Sequence, residues 1–131
     1  MPRFAYEYLV GGANEEINLK KNTRDIRATE LQPEYIKKFG LADLSVNLFS
    51  EKYEAPFGVA PVGLQGMLWP HSAELLAQAA HKQRIPFVLS TVSTASIETI
   101  GQITEGNFWY QLYHPADPVV LDDMLSRAAS A

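Results

Sequence analysis

From Phe57 onward, short apolar runs alternate with stretches of helical spacing. Phe57-Gly58-Val59-Ala60 is an apolar run closed by Pro61, and a glycine-rich stretch, Gly63-Leu64-Gln65-Gly66, follows. Ser72 reads as a helix N-cap with Glu74 in the first turn, and the spacing of Leu75, Leu76, Ala79 and Ala80 predicts a helix to about Arg84. Pro86 precedes the next buried strand, Phe87-Val88-Leu89, which ends in Ser90-Thr91. Ser96 and Glu98 open another helix, ended by Gly101 or Gly106. The strand from Asn107 to Tyr113 comes next. Asp117-Pro118 then starts a last helix with an apolar face of Leu121, Met124, Leu125 and Ala128. Continuous apolar strands alternating with amphipathic helices predict an α/β fold, a parallel sheet covered by helices.

The first third is less regular. Phe4 to Val10 reads as the end of a helix, stopped at Gly11-Gly12, where the chain is expected to turn at positive φ. Glu15 to about Thr23 predicts a short helix, and Arg27 to Leu31 an extended piece ending at Pro33. Val46 to Phe49 and Tyr53 to Ala55 predict a hairpin around Ser50-Glu51-Lys52. No internal repeat or low-complexity tract interrupts this order. The expected division is an N-terminal helical and hairpin extension over 1–55 and three βα units over 56–131.

Composition narrows the classes. With 131 residues, 47% hydrophobic and 20% charged, the chain is globular and large enough for a core. A net charge of −4 argues against nucleic acid as a partner. The basic group Lys20, Lys21, Arg24 and Arg27 is diluted by Asp25 and reads as a solvated helix face. The absence of cysteine excludes disulfides, thiolate nucleophiles and Cys-based zinc sites, and favours a reducing compartment. No apolar run approaches the ~20 residues of a transmembrane segment. The N-terminus lacks a secretory pattern, so a cytoplasmic protein is expected.

Candidate chemistry sits at the strand ends: Pro61-Val62-Gly63, Ser90-Thr91, and Gln111 with Tyr113. In α/β folds ligands bind at the carboxyl ends of the strands. Strand alternation puts Gln111 and Tyr113 on one face. Taken singly, Tyr113 also reads as a half-buried core tyrosine, Gln111 as a satisfied core amide and Ser90 as a strand cap. His71 and His81 read as surface residues, and His114 should face away from Tyr113's target.

Several segments together resemble one family, the FMN-dependent 2-hydroxy acid dehydrogenases and oxidases, which includes glycolate oxidase, L-lactate dehydrogenase and mandelate dehydrogenase. They are Phe4 through Ala13, Ala55-Pro56-Phe57-Gly58-Val59-Ala60-Pro61, Leu68-Trp69-Pro70, Ile85 through Thr91, Ser96-Ile97-Glu98 and Trp109-Tyr110-Gln111-Leu112-Tyr113. The resemblance implies the N-terminal part of a TIM (β/α)8 barrel preceded by helices and a small hairpin. It implies oxidation of a small (S)-2-hydroxy acid, lactate-like, to a 2-keto acid with electrons passing to FMN. Tyr8 would contact the substrate carboxylate and Tyr113 the substrate hydroxyl and developing carbonyl, with Tyr113 the catalytic group. Pro61, Val62 and Gly63 would lie against the flavin, and Ser90 and Gln111 would hydrogen-bond its ring edge; no metal is implied.

The chain departs from the family pattern at Val62, where a small polar residue is common, at Ser72-Ala73, where Gly-Glu is frequent, and at Val92, where oxidases often carry a large aromatic side chain. The base histidine, substrate arginine and flavin-side lysine of the family have no counterpart here. A barrel takes ~250 residues and eight strands, so a fragment of a longer enzyme is expected, inactive alone, and either homo-oligomeric or completed by the rest of the barrel. The competing readings are a non-catalytic half-barrel assembly module and another FMN-binding barrel, such as the isopentenyl diphosphate isomerase group.

Overall fold

The computed structural model describes residues 1–38 and 40–131. They form two compact units, Met1–Ala42 and Asp43–Ala131.

The first unit holds α1 (Arg3–Val10) and α2 (Ile17–Ala28). The stop after α1 is where expected, but Gly11 has φ −78 rather than a positive value. Its requirement is steric: a Cβ there would stand 2.7 Å from the Glu7 carbonyl oxygen. The left-handed residues of this turn are Asn14 and Glu16. α2 starts later and runs further than the sequence suggests, because nothing between Thr23 and Ala28 breaks a helix. Arg27 and Ala28 are therefore helical, and extended chain begins only at Thr29. No residue of α2 is buried, and its basic side chains lie on an exposed helix.

The second unit begins with an antiparallel hairpin, β1 (Val46–Leu48) and β2 (Glu51–Tyr53), with Val46 opposite Tyr53 and Leu48 opposite Glu51. The turn is Phe49-Ser50, tighter than the expected three-residue loop. Both residues are left-handed (φ 49 and 72), the geometry that matches strand twist in a two-residue hairpin. Trp109 makes T-shaped contacts with Phe49 and Tyr53, with ring centroids 5.5 and 6.4 Å away. The buried Tyr53 donates its hydroxyl to Asn107 Oδ1 at 3.3 Å.

Next come α3 (Ser72–Gln83), β3 (Val88–Ser90), α4 (Ile97–Thr104), β4 (Trp109–Gln111) and α5 (Pro118–Ser130). The predicted alternation holds, with shorter strands. β3 and β4 are parallel, pairing Val88 with Trp109, Leu89 with Tyr110 and Ser90 with Gln111. The Phe57–Ala60 run contributes one parallel bridge, Val59 to Phe87, through Val59 N–H to the Pro86 carbonyl (2.8 Å) and Val88 N–H to the Val59 carbonyl (3.0 Å). Phe57 is exposed, so this run is not the buried strand its composition suggests.

The core joins Phe87 and Leu89 of β3 to Ala73, Ala77 and Ala80 of α3 and to Ile97 and Ile100 of α4. Burial of Leu89 and Ile100 contributes about 2 to 3 kcal/mol each. The face of α3 differs from expectation. Its inward stripe is alanine, which lets α4 approach closely, while Leu75, Leu76 and Ala79 are exposed. Ser72 is the first helical residue rather than the cap; His71, left-handed, holds that place without a side-chain cap bond.

The N-caps of α4 and α5 follow the sequence. Ser96 Oγ accepts from Thr99 N–H at 3.1 Å and Asp117 Oδ1 accepts from Val119 N–H at 2.9 Å; at its other end α4 is capped by left-handed Glu105 (φ 54) rather than by a glycine, and Gly106 (φ 79) follows it. Gly101 stays inside α4, where a Cβ would stand 2.7 Å from the Ala131 carbonyl.

A forked ion pair ties α4 to α5: Arg127 donates from Nε to Glu98 Oε1 (2.6 Å) and from Nη2 to Oε2 (3.0 Å). These bonds, with help from the helix N-terminus, hold the Glu98 carboxyl down at about 2 from its ordinary 4.5. A carboxyl lowered on folding adds stability above its unfolded pKa, and that stability is lost as pH falls through the folded value. The difference in melting temperature between the parent and Glu98→Gln is therefore expected to be constant above about pH 5 and to vanish as pH falls from 4.5 towards 2. Both side chains are near half exposed, so the difference is small. A pH-independent difference would show that the ion pair is not its source.

Candidate functional site

The parity of the two paired strands sorts their side chains. Phe87 and Leu89, with Phe108 and Tyr110, pack into the helix-covered core. Alternation turns Val88, Ser90, Trp109 and Gln111 to the opposite face. Ser90 and Gln111 therefore stand side by side at the carboxyl ends of neighbouring strands, as registered partners. Ser90 is buried and Gln111 half-buried.

Main-chain bonds bring a third segment alongside. Leu64 N–H donates to the Val92 carbonyl at 2.9 Å, which lays Pro61-Val62-Gly63 beside the end of β3. The next turn packs tightly: a Cβ on Gly66 would stand 2.3 Å from Thr94 Oγ1. Leu64 is itself left-handed, at φ 50, and opens the 3₁₀ turn Gln65–Met67. Three chain segments thus meet at one edge of the second unit.

Tyr113 lies two residues beyond β4 and is 55% exposed. The strand was expected to carry alternation through Tyr113; it ends at Gln111, and beyond it a side chain takes over. Thr91 Oγ1 accepts Tyr113 N–H at 2.9 Å and also donates to the Gln111 carbonyl. Tyr8 lies on α1 of the first unit and is also about half exposed. His114 is exposed, as are His71 and its partner contact to Glu74 Oε1 at 3.3 Å.

Sequence reasoning missed one residue here and the role of another. Thr91 stood with Ser90 among the polar strand ends, but its cross-strand partners appear only when the strand register is known. Gln65 read as part of a glycine-rich loop, yet it is 4% exposed, a buried amide immediately after the Pro61–Leu64 segment. A small cavity of about 130 Å³ touches Ser90 and Thr91, but Leu89, Tyr110 and Met124 place it on the helix side of the sheet, and it is below the size of an ordinary ligand pocket.

Comparison with known proteins gives this edge a context. The family model described as FMN-dependent dehydrogenase matches residues 1–131. This chain belongs to the FMN-dependent dehydrogenase family. It is 39% identical to an L-lactate dehydrogenase of Ectopseudomonas mendocina over 131 residues, all of this chain and 35% of that protein. It is 36% identical to the (S)-mandelate dehydrogenase of Pseudomonas putida over 113 residues, 86% of this chain and 29% of that protein. Among solved structures, a soluble mutant of the membrane-associated (S)-mandelate dehydrogenase from Pseudomonas putida superposes with a TM-score of 0.87 at 33% identity, over 99% of this chain and 37% of that one. The chain spans about a third of the length of the curated relatives it matches (33% and 35% for two L-lactate dehydrogenases).

The cofactor of this flavoprotein family is FMN, and the strand-end residues fit it chemically. Ser90 Oγ accepts Val92 N–H at 3.3 Å, which leaves the hydroxyl hydrogen free to donate. The Gln111 amide makes no side-chain bond among the described residues, so it can donate and accept. The set is uncharged, as suits the amide-like edge of a flavin ring. Among the described residues, no helix is long and apolar enough to cross a membrane and no group of three or more His, Cys, Asp or Glu could hold a metal ion.

Proposed function

We propose that this chain supplies the leading strands of a TIM barrel in a cytoplasmic FMN-dependent oxidoreductase that converts a lactate-like (S)-2-hydroxy acid to the 2-keto acid. The observation that carries the reading is the registered Ser90–Gln111 pair at the strand ends, with the Pro61–Gly63 backbone tied alongside. When bound there, FMN is the acceptor of the two electrons the substrate loses.

The chain's own residues bind and orient. Ser90 donates to the ring edge, Gln111 both donates and accepts, and the backbone of Pro61, Val62 and Gly63 lies against the flavin. Tyr113 offers a phenol to the substrate oxygen at C2, where carbonyl character develops. Tyr8 donates to the substrate carboxylate. A phenol binds a carboxylate without placing a second full charge in a dry pocket. The proton acceptor, the substrate-binding cation and the flavin-side cation come from the remainder of the barrel, either in the same polypeptide or in a completing chain.

The test is expression of the full-length protein that contains this chain. Visible flavin absorption is expected, with anaerobic bleaching by L-lactate or L-mandelate. A folded full-length protein that never takes up flavin overturns the reading.

A further inference from the structure

We propose that Thr91 is a positioning residue: its hydroxyl clamps the main chain on both sides of Leu112 and so sets where Gln111 and Tyr113 stand. In a regular parallel ladder, the rung after Thr91 N–H to the Gln111 carbonyl (3.0 Å) would run from Tyr113 N–H to the Thr91 carbonyl. Here the acceptor is Thr91 Oγ1, at 2.9 Å. The same hydroxyl donates to the Gln111 carbonyl, which thereby receives both the N–H and the O–H of Thr91. One side chain replaces a main-chain rung and fixes the path by which β4 leaves the sheet.

Only a group that donates and accepts at one atom can do this, which restricts the position to threonine or serine. The γ-methyl of threonine further limits χ1, so the hydroxyl is held rather than rotating. Thr91 is itself anchored. Ser90 Oγ accepts Val92 N–H at 3.3 Å, and the Val92 carbonyl accepts Leu64 N–H at 2.9 Å. The clamp therefore refers Gln111 and Tyr113 to the same frame that carries Ser90 and the Pro61–Gly63 segment. The effect on ligand binding rests on the FMN reading above; the clamp itself does not.

The test uses Thr91→Val, which keeps the shape and removes the hydroxyl, Thr91→Ala as a second deletion, and Thr91→Ser, which restores the hydroxyl. Amide hydrogen exchange at Tyr113 is expected to accelerate about tenfold in the Val and Ala variants and to stay near the parent rate in Ser. In the full-length flavoprotein, FMN affinity should weaken about tenfold in Val and Ala and recover in Ser. kcat should follow the same order.

Unchanged Tyr113 exchange in both deletions overturns the clamp. Faster exchange with parent-like FMN affinity and kcat leaves a purely structural threonine and also overturns the proposal. If the unsubstituted full-length protein binds no FMN, the functional reading fails, and the exchange comparison still decides whether the clamp exists.

Discussion

Replacing Tyr113 with phenylalanine in the full-length flavoprotein is expected to lower kcat/KM for the proposed 2-hydroxy acid substrate by about 10²-fold, with flavin content and visible spectrum unchanged. The expectation starts from how the residue is held. Its main chain is fixed by Thr91 Oγ1 at 2.9 Å, while its side chain is 55% exposed and its hydroxyl bonds to no described residue. A rigid backbone carrying a free phenol is pre-organised to donate to a ligand. Loss of one such donor to an oxygen that gains charge during reaction costs about 10² to 10³ in rate. Because the bond strengthens as the hydroxyl proton leaves and the oxygen takes on alkoxide character, most of the loss should fall on kcat rather than KM. The ring remains, so stability should not change. Ser90 and Gln111, the proposed flavin contacts, are untouched, so flavin binding should persist. Steady-state kinetics with flavin quantitation on the same preparation checks this. A Phe variant within threefold of the parent would remove Tyr113 from the reacting centre.

The order of elements was legible because each depends on local signals. Asp117-Pro118 and Ser96 announce helix starts through side chains that must satisfy the first free N–H groups, and both do so. The pairing of helices with parallel strands followed from apolar runs too short for helices. Packing faces were less legible. On α3 the leucines looked like the core, yet the stripe facing α4 is Ala73, Ala77 and Ala80. Hydrophobicity alone ranks leucine above alanine, whereas close helix approach selects the small residue. The hairpin was misplaced because Phe49 and Ser50 are unusual choices for left-handed positions that normally attract glycine or asparagine.

At the candidate site, Ser90 and Gln111 were visible as polar strand ends, but their registry was not, since register is a relation between strands. The same holds for Thr91. Its two partners lie 20 and 22 residues away in sequence, and no periodicity connects them.

Gly58→Ala should strongly destabilise the second unit, costing about 1 to 3 kcal/mol. An added Cβ would stand 2.6 Å from the Pro86 carbonyl oxygen and 2.8 Å from Pro86 Cβ. Neither neighbour yields easily: one is main chain and the other belongs to a ring whose φ is fixed. That carbonyl is also the acceptor for Val59 N–H at 2.8 Å, so the clash falls on the bond holding the first strand to β3. Relief requires the strand to lift, which also stretches the 3.0 Å bond from Val88 N–H to the Val59 carbonyl. Pro61-Val62-Gly63 follow within a few residues, so the displacement reaches the segment proposed to lie against the flavin. FMN affinity should therefore fall even at temperatures where the variant stays folded. Gly40→Ala is the matched control: no described residue lies within 4 Å of its Cβ position, and removing a glycine there should be neutral or slightly stabilising through the unfolded chain. Denaturation midpoints measured side by side decide the matter, and a Gly58→Ala variant as stable as Gly40→Ala would mean that the first strand is not held against Pro86 in this way.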